Sequence, residues 1–335
     1  MTCSDLPSHH DLAASASYIA SCQDITGAIA WERDGKVDVW DHVECAMALA
    51  VTGDFGASDA AYDWLANNQR PDGTWPMHLQ AGLVRDAGAD SNQCAYVAVG
   101  MWHHWLIHRD LVAIERWWPT VRDALDAVVA MQLPFGGMAW ARSFEGECWP
   151  TALVAGSASI WHSLNAGLLL ADLVSDAASV TDRWSAAAQT LRCALRTNED
   201  AFETKDRYSM DWYYPVLSGA LTGSAARARL TGRWDDFVVP GLGIRCVDDH
   251  PWVTGAETCE LALALESLGD KGTASQLVID MQHLRDDDGS YHTGLVFTDQ
   301  KRWPIERSSW TAAAVILAVD AIIDHTDGAG IFRLS

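Results

Sequence analysis

Hydrophobic positions recur at helical spacing along almost the whole chain and divide it into about twelve amphipathic or apolar segments. No stretch shows the strict alternation that is typical of a strand, and residues 238–249 are predicted to form a long loop. The pattern predicts helices at 9–23, 39–52, 57–69, 91–107, 110–131, 151–175, 182–201, 210–221, 223–237, 254–268, 272–284 and 308–325.

The predicted helices alternate in polarity along the chain. The even-numbered ones are apolar on all sides, as in 45–51, 166–171 and 311–318, whereas the odd-numbered ones carry charged residues at solvent-face spacing. A helix that is apolar all round belongs inside a protein. We therefore predict an all-α fold, an (α/α)6 toroid of about six helical hairpins with an inner and an outer ring, forming one catalytic domain over residues 1–335.

A turn motif recurs between the helices of each pair. It consists of a glutamine, a short spacer, a glycine and an aromatic residue, and its recurrence at about 45–65 residues is typical of a helical-hairpin array. The copies are Gln23 to Gly27 and Trp31, Gln69 to Gly73 and Trp75, Gln132 to Gly137 and Trp140, and Gln282 to Gly289 and Tyr291.

Charge narrows the classes of partner. The chain has 45 acidic and 23 basic residues, a formal net charge of −22, which would repel nucleic acid and anionic lipid surfaces. Residues 1–10 lack the basic and apolar regions of a signal peptide, and no apolar run is long enough for a membrane span. We therefore expect a cytoplasmic enzyme with a small-molecule substrate, a carbohydrate or an isoprenoid. Nothing in the sequence predicts the oligomeric state.

Acids and tryptophans cluster where the predicted inner helices begin, and five of the six starts combine the two. In a toroid these starts surround one mouth. Acids at helix starts are also ordinary caps, but a cap needs no tryptophan beside it. Aromatic faces beside acceptors suit a stacked sugar, and they also suit a developing carbocation. The predicted substrate-binding residues are Asp38, Trp40, Asp41, His42, Trp149, Trp212, Tyr213, Trp252, Glu257 and Trp303.

The segment 64–75, which contains Gln69, Gly73 and Trp75, resembles the QW repeat of the terpenoid cyclase and prenyltransferase superfamily. This resemblance implies the toroid fold, because the repeat is a structural turn without chemistry of its own. The nearest match to a cyclase acid motif, 286–289, lies in a repeat turn and is predicted to be a solvated loop. An isoprenoid-converting enzyme with an apolar cavity is therefore one alternative, and a non-catalytic toroid that binds a ligand or partner is another.

A second resemblance is to six-hairpin glycosidases, especially glucoamylase-like ones, through segments 38–42, 109–125 and 303–306. It implies a glycoside hydrolase with Glu306 as catalytic base and Glu147, or Glu145, as general acid. The sequence departs from the family at His42, which stands where those enzymes have a sugar-gripping arginine. The acid also lacks the usual Trp-Glu context.

An inverting glycosidase needs two carboxyl groups about 6.5–9.5 Å apart. A helix N-terminus would keep Glu306 ionised, and burial against Trp149 or Trp140 would raise the pKa of Glu147. Asp211 is the reserve acid. Six-hairpin folds also host epimerases and lyases, for which His42 and His250 are the candidate proton carriers.

No cofactor is predicted. His104 and His108 are four residues apart on a helix and could share a metal ion. No carboxylate follows them at a matching spacing, so no metal site is predicted.

Overall fold

The computed structural model describes residues 5–333, and its helices match the predicted ones closely. Every predicted helix is present, with ends that differ by up to five residues, and segment 223–237 is divided in two. The helices are α1 His9–Ser21, α2 Val39–Val51, α3 Phe55–Asn68, α4 Ser91–His108, α5 Leu111–Val129, α6 Val154–Leu173, α7 Ala177–Thr197, α8 Ser209–Leu217, α9 Gly223–Gly232, α10 Trp234–Phe237, α11 Gly255–Ser267, α12 Lys271–Asp280 and α13 Ser309–Ile323.

Six helices form a closed inner ring in the order α2, α4, α6, α8, α11, α13, and α13 returns to pack against α2. The helices α1, α3, α5, α7, α9 and α12 lie outside it, each against its inner neighbours. Every residue of α2 is buried, as its apolar sequence requires. The predicted (α/α)6 toroid is confirmed. Within residues 5–333, no helix combines the length and the apolar character that crossing a membrane requires.

Short strands lie beside the ring, and here the prediction was wrong. The predicted loop 238–249 contains β6 and β7, which belong to a five-stranded antiparallel sheet in the order β10-β9-β8-β7-β6. Strands of two to four residues are too short for alternation to show in sequence. The strands are β1 Lys36–Val37, β2 His78–Gln80, β3 Leu83–Asp86, β4 Ala89–Asp90, β5 Ala141–Arg142, β6 Val238–Val239, β7 Gly243–Arg245, β8 Trp252–Thr254, β9 Gly294–Val296 and β10 Lys301–Arg302.

The strands mark one end of the toroid. β1, β4 and β8 each lead directly into an inner helix, α2, α4 and α11 respectively, so the sheets surround the N-terminal ends of the inner ring. The opposite end is covered by residues 325–333. Arg333 there donates two hydrogen bonds to the carboxylate of Glu266 on α11, and Phe332 packs against His162 of α6. The accessible end of the axis is therefore the one where the inner helices begin.

The repeated glutamines tie each hairpin to the next outer helix. In three copies the side-chain amide donates to the carbonyl of the turn glycine and to a carbonyl of the following outer helix. The pairs are Gln23 with Gly27 and Ala57, Gln69 with Gly73 and Thr120, and Gln132 with Gly136 and Ala187, all at 2.9–3.1 Å. Gly136, not the predicted Gly137, is thus the turn glycine of the third copy.

The turn glycines also allow close packing of backbones. Gly73 has φ +81°, and a Cβ there would lie 2.2 Å from the carbonyl oxygen of Asp123 on α5. Only glycine fits that conformation and that approach. The fourth glutamine, Gln282, differs because it donates to Val278 and accepts a hydrogen bond from the hydroxyl of Tyr291.

Replacing Gln69 by alanine is expected to lower the free energy of unfolding by about 1–3 kcal/mol, because it leaves two carbonyl groups without their donor. Urea denaturation followed by circular dichroism measures this loss. Gln189→Ala is the matched control, since Gln189 is exposed on the outer helix α7, and it should change stability by less than about 0.5 kcal/mol. Equal effects of the two substitutions would contradict the proposed role of the repeat.

Candidate active site

The sixth residues of five inner helices form one polar layer across the axis. Helices that begin at the same end bring residues of equal offset to similar depth. The hydroxyl of Tyr96 donates to Glu44 Oε1 at 2.9 Å, and the hydroxyl of Tyr213 donates to Glu260 Oε2. The layer consists of Glu44 on α2, Tyr96 on α4, Ser159 on α6, Tyr214 on α8 and Glu260 on α11, all buried.

The two glutamates of this layer are unusual because burial disfavours their charged forms. Burial raises the pKa of Glu44 to about 7, although hydrogen bonds from Tyr96 and from Trp310 Nε1, the latter at 2.8 Å, favour the ionised group. Burial, with the nearby charge of Glu44, raises the pKa of Glu260 well above its usual range. Sequence reasoning gave neither glutamate a role. The sequence does place Glu44 three residues after Asp41 and Glu260 three residues after Glu257, and this shared spacing could have indicated them.

Asp41 and Glu257 lie one helical turn nearer the mouth. Each is the third residue of its helix, α2 and α11, and both are buried, with exposed fractions of 7% and 6%. Burial raises the pKa of Asp41 well above its usual range, and the adjacent carboxylate of Asp38 raises it further. Burial also raises the pKa of Glu257. Among the described residues, Glu257 Oε2 has no hydrogen-bond partner.

Asp38 and Asp90 add two more carboxylates at the mouth. Asp38 caps α2 by accepting from the backbone N–H of Asp41, and it forms an ion pair with Lys36 at 3.6 Å. Asp90 caps α4, and burial raises its pKa to about 6. Both acids therefore cap a helix and also contribute a carboxylate to the mouth. Asp38 holds its carboxylate beside Asp41.

An aromatic wall joins the mouth to the polar layer. Trp40, near the start of α2, stacks on Tyr96 with ring centroids 4.7 Å apart and meets Tyr214 edge-on at 5.4 Å. Tyr213, another predicted binding residue, is buried and holds Glu260. The structure thus brings Trp40, Asp41, Tyr213 and Glu257 toward the axis.

Two predicted binding residues have structural roles away from the axis. His42 Nδ1 accepts from the backbone N–H of Ile29 and its Nε2 donates to the carbonyl of Ala61, each at 3.0 Å. Burial lowers the pKa of His42 to about 4, so it ties α2 to α3 as a neutral ring. Trp212 stacks on Phe237 at 5.0 Å in the layer between α8 and the outer helices. Both side chains therefore take part in packing between the inner and outer helices, and Trp212 also lines a cleft beside Asp211.

The reserve acid Asp211 also has a structural partner. Its Oδ1 accepts from the backbone N–H of Ala155 at 3.0 Å and thereby caps α6, whose own N-cap residue supplies no side-chain bond. Burial raises the pKa of Asp211 to about 6. The carboxyl borders a cleft of about 440 Å³ that is also lined by Lys205 and Arg229, away from the polar layer.

The structure separates Glu147 from the buried acids. Glu147 lies in the exposed segment 144–150 that precedes α6, and Glu145 in the same segment is exposed as well. Trp149 in the same segment is 43% exposed and meets Trp140 edge-on at 5.6 Å. The sequence-based choice of Glu147 as proton donor came from its place before the third inner helix, with burial against Trp149 or Trp140 expected, but the carboxylate is exposed there.

A second aromatic pair lies before α13. Trp252 on β8 donates its Nε1 hydrogen to the carbonyl of Trp303 at 2.7 Å, and the rings meet edge-on at 5.3 Å. Glu306 in the same loop is half-buried and accepts from Thr293 Oγ1 at 2.9 Å. Asp286, in the loop that was predicted to be simply solvated, instead binds Arg302 and Arg307 on either side of this segment. The predicted residues Trp252, Trp303 and Glu306 therefore lie together at the edge of the mouth, which we call the rim, and the ion pairs of Asp286 hold this part of it in place.

The arrangement places carboxyl groups that can perform acid–base chemistry beside aromatic rings. Burial favours the protonated forms of these carboxyl groups, and the pKa of Asp41 is raised well above its usual range, so this group can act as a proton donor. A carboxylate oxygen without a partner can accept a hydrogen bond from a water molecule. Tryptophan and tyrosine faces can stack on sugar rings.

The fold is shared with sugar-active enzymes. The structure of a wild-type glycosidase matches with a TM-score of 0.73 at 15% identity, over 95% of this chain and 97% of that one. A D-mannose isomerase structure matches with a TM-score of 0.68 at 12% identity, over 94% of this chain and 96% of the other. These likenesses define the class of the fold, an α/α toroid. No protein-family model matches the chain.

A sequence relative identifies the family. The MMP endo-(1,4)-3-O-methyl-α-D-mannosidase of Mycolicibacterium hassiacum is 55% identical over 318 residues, which cover 95% of this chain and 88% of the relative. The chain belongs to the family of this mannosidase. It is a sugar-active, glycoside hydrolase-like enzyme, as the sequence predicted.

Proposed function

We propose that the protein is an inverting endo-glycosidase that cleaves α-(1→4)-linked chains of 3-O-methyl-mannose, with a carbohydrate and not an isoprenoid as substrate. The observation that carries this proposal is the 55% identity to the mannosidase over almost the whole chain. We further propose that residues 1–335 act as one catalytic domain. The inner ring supports this because it closes only when α13 packs on α2.

We propose Asp41 as the general acid and Glu257 as the general base, in place of Glu147 and Glu306. A general acid must hold its proton near neutral pH, and both burial and the carboxylate of Asp38 favour the protonated form of Asp41. An inverting base must bind the attacking water, and Glu257 Oε2 is buried and without a partner among the described residues. Glu306, which is bound by Thr293, would then contact substrate from the rim.

The rim suits a methylated sugar. Each O-methyl group replaces a hydroxyl donor with apolar surface, so a chain of methylated sugars prefers apolar contacts at intervals. Large apolar side chains are exposed on three segments that surround the starts of the inner helices, with Ile305 89% and Trp303 55% exposed. The other exposed apolar residues of the rim are Leu83 and Val84 on β3, and Phe144 and Trp149 before α6.

The test uses α-(1→4)-linked oligosaccharides of 3-O-methyl-mannose and the same oligosaccharides without methyl groups. We expect internal cleavage of the methylated chains, seen by mass spectrometry as oligosaccharide products, and β-configured new reducing ends by early NMR spectra. Release of single sugars alone would contradict the endo mode. Equal kcat/KM for both sets would contradict recognition of the methyl groups.

Replacing Trp303 by alanine is expected to raise KM for the methylated chain by about 10-fold, because one stacking face is lost, with a smaller change in kcat. Initial rates across a substrate series measure both constants. Val112→Ala is the control, since Val112 is 75% exposed on the outer helix α5 and should leave both constants unchanged. An unchanged KM in the Trp303 variant would exclude this residue from substrate binding.

A further inference from the structure

Three potential metal ligands converge near the closed end of the toroid. His104 and His108 lie one turn apart at the end of α4, and Asp59 reaches them from α3. His104 Nε2 is 3.2 Å from His108 Nδ1 and 3.2 Å from Asp59 Oδ1, and all three ligand atoms lie within 4.8 Å of one another. The sequence did not predict a site at this histidine pair because no carboxylate follows at a matching spacing. The missing carboxylate comes from another helix.

Two of the three separations match those between ligands of a bound metal ion, and the third is at most 4.8 Å. Two ligands bonded to Zn²⁺ at about 2.0–2.1 Å with tetrahedral angles lie about 3.3 Å apart. The two separations of 3.2 Å at His104 are close to this value.

Hydrogen bonding fixes the tautomer of His104 in the form that binds a metal. Ser58 donates its hydroxyl hydrogen to the carbonyl of Ala46 at 3.0 Å, so its oxygen accepts from the Nδ1 hydrogen of His104 at 3.3 Å. The ring is fully buried, so Ser58 and not water is its partner at Nδ1. His104 Nε2 therefore carries a lone pair.

That lone pair lies 3.2 Å from His108 Nδ1 and 3.2 Å from Asp59 Oδ1, a buried oxygen that has no hydrogen-bond partner among residues 5–333. Two acceptor atoms 3.2 Å apart repel one another unless a positive charge or a proton lies between them. A metal-bound histidine usually donates its other ring N–H to a nearby acceptor, which orients the ring and fixes its tautomer. Ser58 is that acceptor for His104.

We propose that Asp59, His104 and His108 form a binding site for a divalent transition-metal ion of the Zn²⁺ class, with water as the fourth ligand. Two imidazole nitrogens and one carboxylate oxygen are a ligand set that such ions prefer. The Asp59 side chain is 32% exposed, which provides a path for the ion and room for the water. The site lies at the ends of α4 and α3 opposite to the mouth, so the ion fastens an outer helix to an inner one and does not contact substrate.

The first experiment measures zinc binding to the full-length protein, after treatment with a chelator and its removal, by competition with a chromogenic chelator. One Zn²⁺ per chain is expected to bind and to raise Tm. Asp59→Asn and His108→Gln should each weaken the affinity at least 10-fold and abolish the rise in Tm. Cobalt(II) should give the intense visible absorption of a four-coordinate site in the wild type and not in these variants.

Two further variants distinguish a specific zinc site from nonspecific zinc binding. Ser58→Ala, which removes no ligand, should weaken binding about 10-fold through loss of the tautomer lock. His250→Gln is the matched control, because His250 forms an exposed pair with Asp249 at 2.7 Å outside the cluster, and it should not change binding. Circular dichroism without metal confirms that each variant is folded.

The proposal is overturned if the wild type binds no stoichiometric zinc, or if Asp59→Asn and His108→Gln both retain wild-type affinity. Turnover of the sugar substrate should be the same with and without zinc at a temperature where both forms are folded. A metal requirement for turnover would place the ion in the reaction and contradict the structural role.

Discussion

Substituting glutamine for Glu257 is expected to lower kcat on the methylated oligosaccharide by about 10³-fold while KM changes little. Glutamine keeps the shape of the side chain but cannot accept a proton from the attacking water, and loss of a general base costs about 10²–10⁴-fold. The side chain is buried with Oε2 unpartnered among the described residues, so the substitution breaks no protein hydrogen bond at that oxygen. Steady-state kinetics with the full-length protein measures both constants.

The identity of the acid is tested by a second variant at the other carboxyl. Asp41→Asn should lose activity toward the natural linkage but retain it toward aryl glycosides with a good leaving group, since these need no protonation. For the base, Glu257→Ala with added azide should yield a glycosyl azide of inverted configuration. The paired behaviour assigns one role to each residue.

The matched control for both variants is Glu147→Gln. Glu147 lies exposed before α6, and its replacement should change kcat less than about 3-fold, in the range of a residue outside the chemistry. A loss of about 10³-fold in Glu147→Gln, with an active Glu257→Gln, would restore the pair that the sequence suggested. Glu306→Gln is expected to alter KM more than kcat, because Glu306 lies on the rim beside Thr293.

The sequence predicts the ring well but predicts poorly which side chains face its axis. Apolar residues cover every side of an inner helix, so its sequence does not mark the face that meets the axis. Asp41 and His42 are adjacent and therefore point about 100° apart. One carboxyl consequently lies at the mouth, while the histidine binds Ile29 and Ala61 at the interface with α3.

Depth along the axis is a second property that the sequence does not mark. The predicted acids Glu147 and Glu306 stand beside tryptophans close to the helix starts. Glu44 and Glu260 lie one turn deeper, and their significance depends on contacts with Tyr96 and Tyr213 from other helices. Contacts between residues that are distant in the sequence leave no local pattern. For the same reason, the sequence around His104 does not indicate Asp59 as its neighbour.

Glu44→Gln is expected to stabilise the protein at neutral and alkaline pH. Burial raises the pKa of Glu44 in the folded protein to about 7, whereas an unperturbed glutamate has a pKa of 4.5. Between these values the folded state binds more protons than the unfolded state, so the free energy of unfolding falls as pH rises. The shift corresponds to a loss of about 3 kcal/mol that is complete above pH 7. The glutamine variant lacks this loss.

Glutamine can keep the hydrogen bonds that Glu44 makes, so the expected gain in the free energy of unfolding comes from removal of the charge. The glutamine oxygen can accept from Trp310 Nε1, and its amide can donate to the hydroxyl of Tyr96, replacing the two bonds that Glu44 accepts. Urea denaturation at a series of pH values measures the difference between variant and wild type, which should grow by about 3 kcal/mol from pH 4.5 to pH 8. The exposed Glu115 on α5 provides the control Glu115→Gln, whose difference from wild type should stay nearly constant. A constant difference for Glu44→Gln as well would mean that this carboxyl ionises in the folded protein as easily as in the unfolded chain, and the buried polar layer would then need a compensating cation near Glu44 and Glu260.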